Sequence, residues 1–187
     1  MYWIFATETQ NESQAQIFGR PEVIKQLGLS FNRGLPITTK VPEIEIKVSP
    51  ADENILTDNL IAKGTKGLVF NSKLREAISN TGVDNIEYFD VAVLLESSGK
   101  IIRDYKMANI VGRIDCIDPT SELQRDDDGS IEFIDKLILD ESKIHGALMF
   151  RLAEFLSIVI VHENVKQAVE AGGFTGINFY QPEDYVL

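Results

Sequence analysis

The fold is decided by two stretches that align with each other without a gap at an offset of 91 residues: FNSKLREAISNTGVDNIEYF (residues 70–89) and VHENVKQAVEAGGFTGINFY (residues 161–180). Ala, Gly and Ile recur at equivalent positions, and most other apolar positions stay apolar. An apolar run ends at the first residue of each copy. The two runs are residues 68–70 and 158–161, and such runs are typical of buried strands. Each copy therefore begins with a predicted strand.

Both copies continue with apolar residues spaced i, i+3, i+4, which predicts a helix with one buried face. These residues are Leu74, Ala77 and Ile78 in the first copy and Val165, Ala168 and Val169 in the second. Gly82 and Gly173 lie where a helix commonly ends on a left-handed residue. Short apolar segments at 86–89 and 177–180 then predict a second strand in each copy, so the repeat unit is strand–helix–strand.

The rest of the chain adds mainly strands. Alternation and apolar runs predict strands at Tyr2–Thr7, Ile44–Val48, 91–95, 100–105, Ile110–Ile117 and Ile131–Leu139. We predict mostly loop for Gln10–Pro42, loop or a short helix for Asp52–Ala62, and a helix for Ser142–Leu156. The sequence thus predicts an α+β fold with mixed sheets, a few packed helices and an internal strand–helix–strand repeat. Its 187 residues suit a single domain, 1–187, or two pseudo-symmetric lobes, about 1–100 and 101–187.

Charge and cysteine content exclude several classes of protein. With 18 Lys and Arg against 29 Asp and Glu, the net charge of −11 disfavours direct nucleic-acid binding, which depends on cations. Cys116 is the only cysteine, so an intrachain disulfide is impossible and a reducing cytoplasm is the expected compartment. The apolar stretch 146–161 contains Arg151 and Glu154 and is too short to span a bilayer, so no membrane role is expected.

The negative charge is concentrated between Asp115 and Glu141, a segment that contains ten acidic and two basic residues. Such a concentration indicates either a solvated surface that favours solubility or a surface that binds a basic partner. The candidate binding residues are Asp115, Asp118, Glu122, Asp126, Asp127, Asp128, Glu132 and Asp135.

No catalytic or metal-binding motif is found. His145 and His162 lie in no zinc or nucleophile pattern, and there is no phosphate loop or G-x-G-x-x-G motif. A calcium loop around Gly129 would place uncharged Gln124 at its first position, so a solvated turn is the better interpretation. Cys116 has an apolar context that favours a buried thiol over a nucleophile. We predict no catalytic residue, no metal and no cofactor.

Several strings, in this order and spacing, resemble a known family. They are Tyr2-Trp3, Thr57-Asp58, VFNSKL (69–74), GVDNIEYF (82–89), Tyr105 with Asn109, IDCID (114–118) with Ser121, MFRL (149–152) and GFTGINF (173–179). Together they resemble the bacterial polymorphic-toxin immunity proteins of family eleven. The resemblance extends from Tyr2 to Phe179.

The resemblance implies a cytoplasmic protein that is encoded beside a secreted antibacterial toxin, often a nuclease, and that binds and neutralises it without catalysis. A toxin that attacks nucleic acid carries a basic cleft, which an acidic protein can occupy, so the expected partner is a basic cognate toxin. The alternatives are a small metal- or ligand-binding domain or enzyme with an acidic site, and an interaction module that has no toxin partner.

Overall fold

The computed structural model describes residues 1–8 and 14–186. Its strands are β1 (Tyr2–Ala6), β2 (Gln16–Ile17), β3 (Ile44–Val48), β4 (Ile61–Ala62), β5 (Leu68–Phe70), β6 (Ile86–Leu95), β7 (Ile101–Ile102), β8 (Lys106–Ile110), β9 (Arg113–Ile114), β10 (Glu122–Arg125), β11 (Ile131–Lys136), β12 (Met149–Leu152), β13 (Val159–His162) and β14 (Asn178–Tyr180). Its helices are α1 (Glu22–Gln26), α2 (Ser72–Ser79) and α3 (Glu163–Ala171), with 3₁₀ turns at Lys63–Thr65, Glu141–Lys143 and Pro182–Asp184. The predicted α+β class is confirmed.

Most strands belong to two larger sheets. The first sheet has the order β3-β6-β8-β5, with β7 paired to β6, and the second sheet has the order β14-β1-β13-β12-β9. Two-stranded ladders are formed by β2 with β4 and by β10 with β11. Parallel and antiparallel neighbours occur in both larger sheets, so both are mixed as predicted.

The internal repeat is confirmed and includes a middle strand in each sheet. Strand β8 lies between β5 and β6, antiparallel to both, and β1 lies in the same way between β13 and β14. Met107 pairs with Val69 and Phe89, and Ile4 pairs with the two residues that lie 91 positions further along the chain. The two units therefore share strand order, direction and register.

Each middle strand comes from the other half of the chain. Strand β8 follows residue 100 but lies in the first sheet, and β1 precedes residue 100 but lies in the second sheet. The middle strand of each sheet thus comes from outside the copy of the repeat that forms its two neighbours. Whether the chain folds as one domain or as two lobes stays a prediction.

The two repeat helices begin in the same way. Asn71 accepts a hydrogen bond from the Leu74 amide at 2.9 Å, and His162, a less common capping residue, accepts one from the Asn164 amide at 3.3 Å. Both helices bury the predicted face and pack against each other in the core. The residues buried on these faces are Leu74 and Ile78 in α2 and Val165 and Val169 in α3.

Both sheets are covered on both faces. The shared cluster combines residues from both units with the two repeat helices, including Phe5, Phe70 and Val161. A first-sheet cluster, which contains Val69, lies under α1 and the N-terminal loops, and a second-sheet cluster, which contains Ile4, lies under the β10–β11 ladder. Double-sided burial explains why β5 and β13 are continuous apolar runs.

The helix predicted for Ser142–Leu156 is wrong. Only a 3₁₀ turn forms at its start, and the segment then becomes β12, whose four residues are all buried between β13 and β9. His145 and Gly146 have φ of 51° and 79°, which a continuous right-handed helix does not allow. An apolar run that is buried on both faces cannot be assigned to helix or strand by periodicity alone.

The strand predicted for Ile110–Ile117 is also misplaced. Strand β8 ends at Ile110, and β9 is a separate two-residue strand in the other sheet. Gly112, with φ of 125°, lies between them in a conformation that favours glycine. The chain therefore crosses from one sheet to the other at this residue.

The matched helices predict matched stability losses. Leu74→Ala and Val165→Ala each remove apolar atoms from the shared cluster, so each should lower the free energy of unfolding by about 2 kcal/mol or more. Urea unfolding measures both, with Lys73→Ala on the exposed face of α2 as the control. A loss no larger than that of the control would contradict this packing.

Candidate functional site

The predicted acidic residues lie on a hairpin that projects from the second sheet. Strands β10 and β11 pair antiparallel, and a turn over residues 126–130 joins them. Asp126 and Asp128 each accept hydrogen bonds from the Ser130 amide and hydroxyl, at 2.7 to 3.0 Å. These bonds, and Gly129 with φ of 86°, shape a tight exposed turn.

One side of the hairpin is anchored in the second-sheet cluster. Ile131, Ile134 and Leu137 are buried there, next to Ile117 and Cys116. A bridge between Ile117 and Leu139 extends the pairing beyond the hairpin, and the Asp118 amide donates to the Ile138 carbonyl at 2.9 Å. The segment that carries Asp115 and Asp118 therefore runs alongside the end of the same hairpin.

All eight candidates lie on this hairpin or on the segment that adjoins it. Six lie on the hairpin itself and are exposed; they are Glu122, Asp126, Asp127, Asp128, Glu132 and Asp135. Asp115 is exposed and Asp118 is half-buried on the adjoining segment. Their role in binding stays a prediction.

The two basic residues of the stretch 115–141 do not neutralise these carboxylates. Arg125 pairs with Glu154 at 2.6 Å, and Lys136 lies 4.0 Å from Glu183, so both cations face acids outside the stretch. Within the part of the chain that the structure describes, none of the eight carboxylates forms an ion pair. These eight carboxylates are therefore free of ion pairs within the described residues, and Lys143 acts on Asp118 only as a minor cause of its lowered pKa.

Hydrogen bonding favours the charged form of two of these carboxylates. The Ser130 hydroxyl donates to Asp128 and lowers the pKa of that carboxyl to about 2, with a further contribution from Asp126. Thr120 donates its hydroxyl and amide to Asp118 at 2.6 and 2.9 Å, which lowers the pKa of Asp118. Both groups carry their charge at neutral pH.

Phe133 is a surface residue that the sequence analysis missed. Its side chain is 48% exposed, although it lies between the buried Ile131 and Ile134 of β11. The pairing shifts by one residue between Gln124 and Arg125, so Glu132 is unpaired and the buried Ile131 and Ile134 are three positions apart instead of two. This β-bulge turns Phe133 outward among the carboxylates. Its signal in the sequence is the spacing of the two isoleucines.

The other candidate groups have structural positions. Cys116 is buried as predicted, and burial raises the pKa of its thiol to about 11, so it stays protonated. His162 caps α3, and His145 is exposed in a left-handed turn. Among the described residues, no group of three or more His, Cys, Asp or Glu side chains could hold a metal ion.

Strings that carry the family resemblance meet in the interior. Asp58 accepts from the Asn71 side chain at 2.7 Å and from the Thr175 hydroxyl and amide at 2.8 and 2.9 Å. The Asn59 side chain donates to the Gly176 carbonyl at 2.9 Å, and a Cβ at Gly176 would lie 2.2 Å from the Asn59 carbonyl oxygen. These residues connect the two repeat units and are part of the scaffold.

One protein family matches most of the chain. The model of the Immunity protein family (Imm11) matches residues 5–184, so the chain belongs to this family. Membership implies immunity to a toxin and the binding of a cognate toxin. A search of curated proteins finds no match. No helix in residues 1–8 and 14–186 has the length and apolar content needed to cross a membrane.

The turn geometry predicts a specific titration. The pKa of Asp128 is below the unfolded value of about 3.9, so its charge stabilises the turn above that pH, and the contribution is lost as the pH falls towards about 2. Ser130→Ala removes the main donor and should raise the pKa of Asp128. Carboxyl NMR titration measures this change. The pKa of Asp118, which depends on Thr120, should not move, and an unchanged Asp128 would contradict the assigned cause.

Proposed function

We propose that this protein neutralises its cognate toxin by stoichiometric association and that the acidic hairpin, residues 122–136, forms the centre of the contact. The observation that carries the proposal is the placement of six exposed carboxylates on one hairpin, with the local cations directed to acids elsewhere. The adjoining Asp115 and Asp118 extend this surface. The protein contributes binding and no chemical step.

The charge of the hairpin supports a basic partner. Carboxylates that lack neighbouring cations create an attractive field for a positively charged cleft, such as the substrate-binding cleft of a nuclease. Such a protein would occupy the cleft in place of nucleic acid. Toxin and immunity protein would meet in the cytoplasm of the producing cell or of a neighbour that carries the same gene pair.

Phe133 supports a contact with more than electrostatic attraction. Interfaces commonly depend on a few aromatic residues that become desolvated at the centre, surrounded by polar groups. Phe133 is exposed, lies on the same hairpin and has Glu132 as its neighbour. In this proposal the carboxylates guide association and Phe133 slows dissociation.

Charge reversal tests the location of the interface. Asp126→Lys, Asp127→Lys and Asp128→Lys together change the charge by +6 on an exposed turn, so the fold should survive while affinity for the toxin falls by at least about tenfold. The readouts are calorimetry, a thermal melt and protection of cells that co-express the toxin encoded by the neighbouring gene.

The matched control makes the same change of charge elsewhere. Glu76→Lys, Asp84→Lys and Glu96→Lys also replace exposed acids, and this variant should bind and protect as the natural protein does. A folded hairpin variant that still protects fully would place the interface elsewhere, with Gln10–Pro42 as the next candidate. Residues 10–13 of that segment lie outside the described residues.

Association kinetics separate the roles of charge and of Phe133. Charges are screened over about 8 Å at physiological ionic strength, so the association rate should fall by at least about tenfold from low to high salt. Phe133→Ala should instead raise the dissociation rate by about tenfold or more and leave the salt dependence unchanged. Stopped-flow measurements at several salt concentrations give both rates. A salt-independent association rate would remove electrostatic guidance from the proposal.

A further inference from the structure

A cleft of about 460 Å³ is lined by residues from outside the acidic hairpin. It opens beside β1 and is bounded by the 3₁₀ turn before β5 and by the start of β13. None of the eight acidic candidates lines it, whereas Arg151, Lys63 and Lys66 all do. Its volume falls within the range of small-molecule sites.

Arg151 is a buried cation that pairs with no carboxylate of residues 1–8 and 14–186. Its side chain is 2% exposed, and its Nη1 and Nη2 atoms donate to the carbonyls of Leu156 and Phe31 at 2.8 and 3.0 Å. Its buried Nε has no hydrogen-bond partner among the described residues. A guanidinium has five N–H donors, so these bonds leave three unused, including the one on Nε.

The charge on Arg151 is poorly compensated. Burial lowers its pKa to about 10, because neutral carbonyls stabilise the cation less than water or a carboxylate would. An anion in the cleft would supply the missing opposite charge and accept from the unused donors.

The other charged residues of the cleft strengthen its positive character. Lys63 and Lys66 are exposed, and neither forms an ion pair in the described part of the chain. The Lys63 ammonium lies over the Phe18 ring, 5.4 Å from its centroid, and is free to turn to an anion from this exposed contact. Glu8 is the one acid among the lining residues that the structure describes, and its carboxylate already accepts from the Tyr180 hydroxyl at 2.6 Å and the Asn178 side chain at 3.1 Å. Among the residues that the structure describes, three cations and one engaged carboxylate line the cleft, on a protein whose net charge is −11.

The backbone at Lys66 is an independent feature of this cleft. Its φ of 53° is left-handed, a conformation that favours glycine. Lys66 ends the 3₁₀ turn Lys63–Thr65, and helical turns commonly end on a left-handed residue. A lysine at such a position places a cation at the cleft where glycine would fit the backbone better.

We propose that this cleft binds a small organic anion whose carboxylate or phosphate group lies against Arg151, Lys63 and Lys66. The apolar part of the ligand would contact Phe5, Leu68 and Ile158, which also line the cleft. Carboxylate and phosphate share the geometry that a guanidinium recognises, namely two oxygens that accept from adjacent N–H groups. The site is separate from the proposed toxin contact and its test needs no toxin.

Three probes of similar size test the proposal on the intact protein. Benzoate and phenyl phosphate carry the two anionic groups, and benzamide is the neutral counterpart of benzoate. At constant ionic strength we expect benzoate, phenyl phosphate or both to bind saturably in calorimetry and to shift the Arg151 Nε–H resonance. Benzamide should do neither. The anion that binds with the higher affinity shows whether the cleft prefers a carboxylate or a phosphate group.

Variants of the two lysines keep the test independent of the buried arginine, whose replacement could unfold the protein. Lys63→Ala with Lys66→Gly should weaken binding of the anion by about tenfold, and the glycine suits the left-handed backbone. Lys40→Ala with Lys73→Ala removes two exposed lysines elsewhere and should leave binding unchanged. The proposal is overturned if no anion saturates the site, if benzamide binds as well as benzoate, or if both double variants weaken binding equally.

Discussion

The carboxylate of Asp58 connects the two halves of the repeat, and the arrangement of the core depends on this connection. One oxygen accepts from Asn71, whose own oxygen caps α2, and the other accepts from Thr175 in the loop before β14. The start of α2 in one unit and the loop after α3 in the other are thereby held by a single side chain. Because the site is partly buried, its loss would leave several donors without partners, which costs more than a hydrogen bond contributes.

The two units have the same arrangement of strands and helix, but different elements pack on the outer faces of their sheets. Both present a three-strand arrangement and a helix to the shared cluster, with the same register at the middle strands. Loops and α1 cover the first sheet, whereas the acidic hairpin covers the second. Only the inner side of the hairpin takes part in packing, so its outer side can carry unpaired charge without placing charge in the core. A surface of this kind can change its partner while the scaffold stays the same.

The acidic hairpin and the cleft beside β1 carry charges of opposite sign. The hairpin carries carboxylates whose neighbouring cations pair elsewhere, and the cleft beside β1 gathers cations around the buried Arg151. Since both regions are anchored by strands of the second sheet, β12 and β13 hold them in fixed relative positions. The two proposed sites therefore differ in ligand chemistry although one sheet supports both.

The sequence by itself determined the repeat, the buried helix faces, the strand at Ile44–Val48 and the segment that carries the negative charge, because each depends on neighbours within a few residues. It could not determine that 149–152 is a strand, since that requires β9 and β13 on either side. Nor could it show which acid Arg125 would meet, or that Arg151 would be buried against the Phe31 carbonyl. These features join residues that are distant in the chain, and only the tertiary fold brings them within the few ångströms over which hydrogen bonds and ion pairs act.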